Sequence, residues 1–130
     1  MKTYFISGHR DLTVEEFESN YAPIIIKALS LDSNFVVGDY EGCDIMAQNY
    51  LVNTLNVSPE KIKVFHMFTS PRNINPKITQ TVGGFTTDVE RDSAMTKHSD
   101  YDIAFIRPNK YNSGTAQNIL RRYELKNLNF

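Results

Sequence analysis

The order of apolar patterns along the chain constrains its fold most. Four short runs are rich in β-branched and aromatic residues: Thr3-Tyr4-Phe5-Ile6, Phe35-Val36-Val37, Ile62-Lys63-Val64-Phe65 and Tyr101-Asp102-Ile103-Ala104-Phe105-Ile106. Each is bounded by Gly, Asn, Asp, Pro or Ser, the pattern of a buried strand. Segments with helical spacing separate them. Thr13 and Glu16 form a T-x-x-E capping box, and Phe17, Tyr21, Ile24 and Ala28 follow along one helix face. Pro23 should kink or split that helix. A second helix is expected over 41–55, burying Met46, Ala47, Tyr50, Leu51 and Leu55. A third is expected over 87–98, opened by Thr87 and Glu90, and a fourth from about 113, burying Ala116, Ile119, Leu120 and Tyr123.

The order is β-α-β-α-β-α-β-α. Strands that alternate with helices predict a Rossmann-like three-layer α/β/α domain with a mainly parallel sheet. The chain, 1–130, is the length of one such domain. The stretch 67–85 breaks the alternation. Its Ser70-Pro71-Arg72, Asn75-Pro76 and Gly83-Gly84 leave two readings, a long functional loop or a short edge strand or hairpin.

Composition removes several classes. With 14 Lys+Arg against 15 Asp+Glu the net charge is −1, whereas binding to extended nucleic acid or anionic membrane needs excess cations. No window is apolar enough for a membrane span, and the first residues turn polar too soon for a signal peptide. A single cysteine, Cys43, forms no internal disulfide and fits a reducing, cytoplasmic compartment.

In parallel α/β sheets ligands bind beyond the carboxyl ends of the strands. The first strand runs into Ser7-Gly8-His9-Arg10, where glycine permits close backbone approach and Ser and Arg offer phosphate donors. The second runs into Gly38-Asp39-Tyr40-Glu41-Gly42-Cys43-Asp44, whose acids suit the hydroxyls of a ribose. The fourth leads to Ser113-Gly114-Thr115 at a helix start, a cradle for phosphate or carboxylate. Arg91, followed by Asp92, shares a helix face with Met95 and can reach the same edge. Tyr40 and Tyr111 lie in tip loops and are candidates for stacking on a base. His9, His66 and His98 have no metal-ligand spacing with one another or with Cys43, so no metal site and no cofactor are expected. Cys43 reads as a packing residue.

These pieces resemble a known superfamily. Glu90-Arg91-Asp92-Ser93-Ala94-Met95 and the later Ser113-Gly114-Thr115 resemble the arginine helix and the Pro-Gly-Gly-x-Gly-Thr-x-x-Glu motif of the Lonely Guy (LOG) phosphoribohydrolases. Ser7-Gly8-His9-Arg10 and the segment Gly38 to Ala47 are similar to the YspA/YpsA branch of the same SLOG superfamily. The resemblance implies a Rossmann-like domain that holds nucleotides or nucleotide-derived ligands. In the LOG enzymes the arginine and the final glutamate serve cleavage of an N-glycosidic bond. The arginine carries over as Arg91. The glutamate does not, because Asn118 stands there, and an amide cannot act as carboxylate nucleophile or base.

That substitution leaves three readings. One is a module that binds a nucleoside phosphate, an ADP-ribose-like molecule or a cyclic signalling nucleotide. Another is an N-glycoside hydrolase or transferase that uses a different carboxylate, from Asp39, Glu41, Asp44 and Asp92. The third is a subunit that acts only through protein contacts. The expected catalytic residues are Asp39, Arg91 and Asp92. The expected ligand contacts are Ser7, Gly8, His9, Arg10, Gly38, Asp39, Glu41, Gly42, Asp44, Arg91, Ser113, Gly114, Thr115 and Asn118. The resemblance also implies a homo-oligomer, a dimer or larger.

Overall fold

The computed structural model describes residues 1–128; the last two residues of the expected 1–130 domain lie outside the described residues. Five strands form one parallel sheet in the order β4-β3-β2-β1-β5. They are β1 (Thr3–Ser7), β2 (Asn34–Gly38), β3 (Ile62–Met67), β4 (Gln80–Phe85) and β5 (Tyr101–Ala104). The helices are α1 (Val14–Asn20), α2 (Ala22–Ser30), α3 (Cys43–Asn49), α4 (Asp88–Lys97) and α5 (Gly114–Leu128). Side chains alternate across a strand, so each strand feeds two cores. Ile6, Phe35, Val37, Ile62 and Val64 meet α1, α2 and α3 in the larger one. Phe5, Val36 and Phe65 meet Met95 of α4 in the smaller one. The α/β/α layering expected from the alternation is therefore present.

Local signals act as the sequence suggests, with corrections. The Thr13–Glu16 box is complete, Thr13 Oγ1 accepting from the Glu16 amide at 3.1 Å and the Glu16 carboxylate accepting from the Thr13 amide at 2.9 Å. Thr87 caps α4 through the Glu90 amide at 3.1 Å, but the Glu90 carboxylate accepts from the Thr86 hydroxyl instead of closing a box. Pro23 splits the first helix, sitting in the first turn of α2, where its missing N–H costs nothing. The break changes the phase of the stripe. Ile25 is buried, and Ile24, expected inside, is 47% exposed. α3 continues as a π-helical turn over Tyr50–Thr54, so the segment 41–55 is helical from Cys43 onward.

The second half settles one open reading and corrects one expectation. Of the two readings of 67–85, the edge strand is the one present: β4 lies within it, parallel to β3. Its connection holds no helix and is tied down by amides instead. The Gln48 side chain donates to the carbonyls of Gly38 and Asn73 and accepts from the Asn75 amide, while the Asn75 side chain donates to Asn49. In α5 the inward stripe is polar: Thr115, Asn118 and Arg122 are buried. Ile119, Leu120 and Tyr123 are exposed and Ala116 is half-buried. The reason is what lies beneath. α5 covers the short edge strand β5 and flanks a polar cleft. Arg122 is consumed there by Asp102 of β5, by the Thr96 carbonyl in the last turn of α4 and by the Ser99 carbonyl just after it.

Candidate functional site

The chain runs β1 to β2 to β3 to β4 in one direction across the sheet. It then returns through α4 to place β5 on the other side of β1. The order thus reverses at β1, where an α/β sheet opens a crevice. A cleft of about 400 Å³ lies there, floored by Phe5 and Ser7 of β1, walled by α4 and by the start of α5, and rimmed by the loops after β1 and β2.

Of the residues expected at a site, the cleft brings together Ser7, Gly8, His9, Arg10, Glu41, Asp44, Arg91, Asp92, Ser113, Gly114, Thr115 and Asn118. Gly38, Asp39 and Gly42 do not line it but shape it from behind. A Cβ on Gly38 would lie 2.4 Å from Asp44 Oδ2 and 3.0 Å from the Arg91 guanidinium carbon. Gly42 caps α3 at φ +76°, and a Cβ there would meet the Arg10 carbonyl oxygen at 2.0 Å. At Gly8 the missing Cβ makes room on the protein side, since it would meet the Tyr21 hydroxyl at 2.4 Å and Cys43 Sγ at 2.5 Å. That hydroxyl joins the two strands at the switch point, donating to the Ser7 carbonyl at 2.8 Å and accepting from the Phe105 amide at 2.9 Å. Cys43 is buried against it, and burial pushes its thiol well up, away from nucleophilic use.

The electrostatic centre is Arg91, which is 5% exposed. It donates through Nη1 to Asp39 at 2.7 Å and through Nη2 and Nε to Asp92 at 2.9 and 3.2 Å. Asp39 is fully buried and also accepts two side-chain bonds and one main-chain bond from Arg72. Burial alone would raise its carboxyl, but Arg72 and Arg91 hold it down at about 2. Asp39 is thus a fixed anion inside an arginine pair. Asp44 sits differently. Its Oδ2 accepts from the Tyr40 amide at 3.1 Å. Burial pushes its carboxyl up to about 7; Arg91 opposes the rise, and Asp92 and Asp39 add to it. Burial likewise raises the Asp92 carboxyl, against the pull of Arg91 and the Asn118 amide.

The remaining wall is cationic and dipolar. Ser113 caps α5, its hydroxyl accepting from the Ala116 amide at 3.2 Å. Ser113, Gly114 and Thr115, at the start of α5, line the cleft beside Lys110, and the amides of a helix's first turn lack partners within the helix. His9 is spent on structure. Its Nε2 accepts from the Arg107 amide at 3.1 Å, and burial, with Arg107 nearby, lowers its pKa, so it stands neutral. Arg107 ties the loop after β5 to Glu16 of α1 and to Asp11 in the loop ahead of it, both at 2.7 Å. The hydroxyl of Ser7, which lines the cleft with Phe5 from β1, is buried without a partner.

Sequence reasoning missed Phe5, Asp11, Asp88, Met95 and Lys110 in the lining, and Arg72 and Arg107 behind it. Only Lys110 had a local signal, its place in the loop before Ser113. Tyr40 lines the cleft, while Tyr111 is 69% exposed and stands outside the lining. No protein-family model, curated protein or solved structure matches this chain.

Proposed function

We propose that this cleft binds a small nucleotide or nucleotide-derived ligand. Its phosphate would lie on the first turn of α5 beside Lys110 and Ser113, and its sugar hydroxyls would reach Asp44, Asp92 and Ser7. The observation that carries the reading is the Ser7 hydroxyl, buried and unpartnered in a residue on the floor of a crevice that also receives a helix N-terminus. A buried hydroxyl without a partner costs about 1–3 kcal/mol, which a ligand acceptor would recover. The mixture of acids and cations suits a molecule that is anionic at one end and hydroxylated at the other. The SLOG-like motifs that converge on the cleft support the same reading. Calorimetry and thermal melts against nucleoside mono-, di- and triphosphates, cyclic nucleotides and ADP-ribose test it. A ligand at a hundred times its Kd adds about 2.7 kcal/mol of stability. A panel in which none shifts the melting temperature refutes the reading.

One observation favours cleavage over binding alone: Asp44 and Asp92 are two cleft-lining carboxyls displaced upward, the condition for acid–base work near neutrality. In N-glycoside hydrolysis the bond between C1′ and the base nitrogen breaks and its electron pair goes to the nitrogen. Protonated Asp44 gives that nitrogen its proton. Water adds to C1′ and yields a proton to Asp92. Asp39 has no such role here, its oxygens being held by Arg72 and Arg91. Free base released on incubation, and lost in Asp44→Asn and Asp92→Asn, establishes this version; intact ligand recovered by chromatography removes it. The exposed Ile119, Leu120 and Tyr123 of α5 support the homo-oligomer, which light scattering tests.

A further inference from the structure

Tyr40 is an aromatic side chain on the cleft rim. Its main-chain amide is held by Asp44 at 3.1 Å. The Arg72 guanidinium lies 4.7 Å from the ring centroid. Arg72 is itself fixed, through Nε and Nη2 to Asp39 at 3.1 and 2.9 Å and through Nη2 to Asp88 at 3.0 Å. The cleft mechanism uses neither Arg72 nor the ring.

We propose that the Tyr40 ring is a preset stacking platform for the planar base of the cleft's ligand, and that Arg72 is the residue that positions it. Tyr40 lines the cleft and Arg72 does not. One face of the ring is covered by the guanidinium, which leaves the other for a ligand in the cleft that Tyr40 lines. Ring orientation is usually settled only when a ligand arrives, at a cost in side-chain entropy. Here the contact with Arg72, itself held by Asp39 and Asp88, fixes it beforehand. Every base has a π-face, so such a platform demands a heteroaromatic ring without choosing among bases. This rests on the nucleotide reading above and adds that the base contributes affinity at the rim, apart from the phosphate on α5.

Two probes separate the contributions: adenosine 5′-monophosphate, and ribose 5-phosphate, which lacks the base. In the wild-type chain the nucleotide should bind more tightly, with hypochromism of its base absorption band. Tyr40→Ala should lose about tenfold or more in nucleotide affinity. Ribose 5-phosphate should stay within about twofold in the same variant. Tyr40→Phe keeps the ring and should hold the nucleotide within about threefold, with the hypochromism intact. Arg72→Lys keeps a cation for Asp39 but not the flat guanidinium. It should narrow the affinity gap between the probes while leaving ribose 5-phosphate unchanged. Nucleotide affinity untouched by Tyr40→Ala overturns the platform alone, as does an equal loss for both probes. If neither probe binds the wild-type chain, the platform for adenosine 5′-monophosphate is overturned, and the nucleotide reading falls with it only when the whole nucleotide panel also leaves the melting temperature unmoved.

Discussion

Asp44→Asn isolates the least settled charge in the fold. The carboxyl is 7% exposed. Burial moves it from an ordinary 3.8 to about 7. Each tenfold change in proton affinity is about 1.36 kcal/mol, so the displacement corresponds to about 4 kcal/mol. The sign follows from proton binding. Between the two values the folded chain holds a proton that the unfolded chain releases. Stability from this group is therefore complete below the unfolded value and declines as pH rises to the folded one. From about pH 5 to about pH 8 the wild-type chain should lose about 3 kcal/mol through Asp44. Asparagine carries no charge to desolvate and keeps an acceptor for the Tyr40 amide. His9, with its lowered pKa, drives stability the opposite way as pH rises toward the ordinary histidine value. The comparison must therefore be the variant minus the wild type, in which His9 cancels. For a chain of this length 1 kcal/mol is about 4 °C in melting temperature. Circular-dichroism melts at matched ionic strength should show the advantage of the variant growing by about 10 °C over that interval. A difference constant to within about 2 °C across the range would show that Asp44 is already ionised in the fold, and would remove it as a proton donor.

Three other perturbations test the frame around the cleft. Gly42→Ala places a Cβ 2.0 Å from the Arg10 carbonyl oxygen at φ +76°, so a loss of about 3 kcal/mol or more is expected; a melting temperature within about 2 °C of wild type contradicts it. Tyr21→Phe leaves the Ser7 carbonyl and the Phe105 amide without their shared hydroxyl and should cost about 1–3 kcal/mol, with faster amide exchange at Phe105; unchanged exchange there means the hydroxyl does not join the strands. Arg91→Met leaves Asp92 buried and deprives Asp39 of one of its two guanidiniums, for which about 3–5 kcal/mol is expected at neutral pH. Much of that loss should be recovered in Arg91→Met combined with Asp92→Asn. No recovery in the double variant would show that the two do not act as a pair.

The local signals did their work where one element answers to its own residues. Thr13 and Glu16 cap α1, Pro23 ends one helix and begins the next, and alternating apolar runs become parallel strands with helices on both faces. Ser7 and Ser113 to Thr115 were legible as site candidates because they stand at a strand end or a helix start, where such a sheet opens, and Arg91, followed by Asp92, because it lies on a helix face with Met95 just before the last strand. The polar inward face of α5 was not legible, since Ile119, Leu120 and Tyr123 show helical spacing wherever the helix is placed. Only the position of α5 over an edge strand and a polar cleft turns Thr115, Asn118 and Arg122 inward.

The sequence by itself determined the class of fold, the edge of the sheet where a crevice must open, and the local types of group available there. Tertiary structure decided which charges remain available. Asp39, Asp44 and Asp92 are the same side chain in sequence, yet two arginines hold the first at about 2 and burial carries the second to about 7. Arg72, 33 positions from Asp39, reaches it only because the loop between β3 and β4 folds back across the sheet's edge. A charge in a protein interior is set by its distance to other charges and to water, and neither distance is written along a chain.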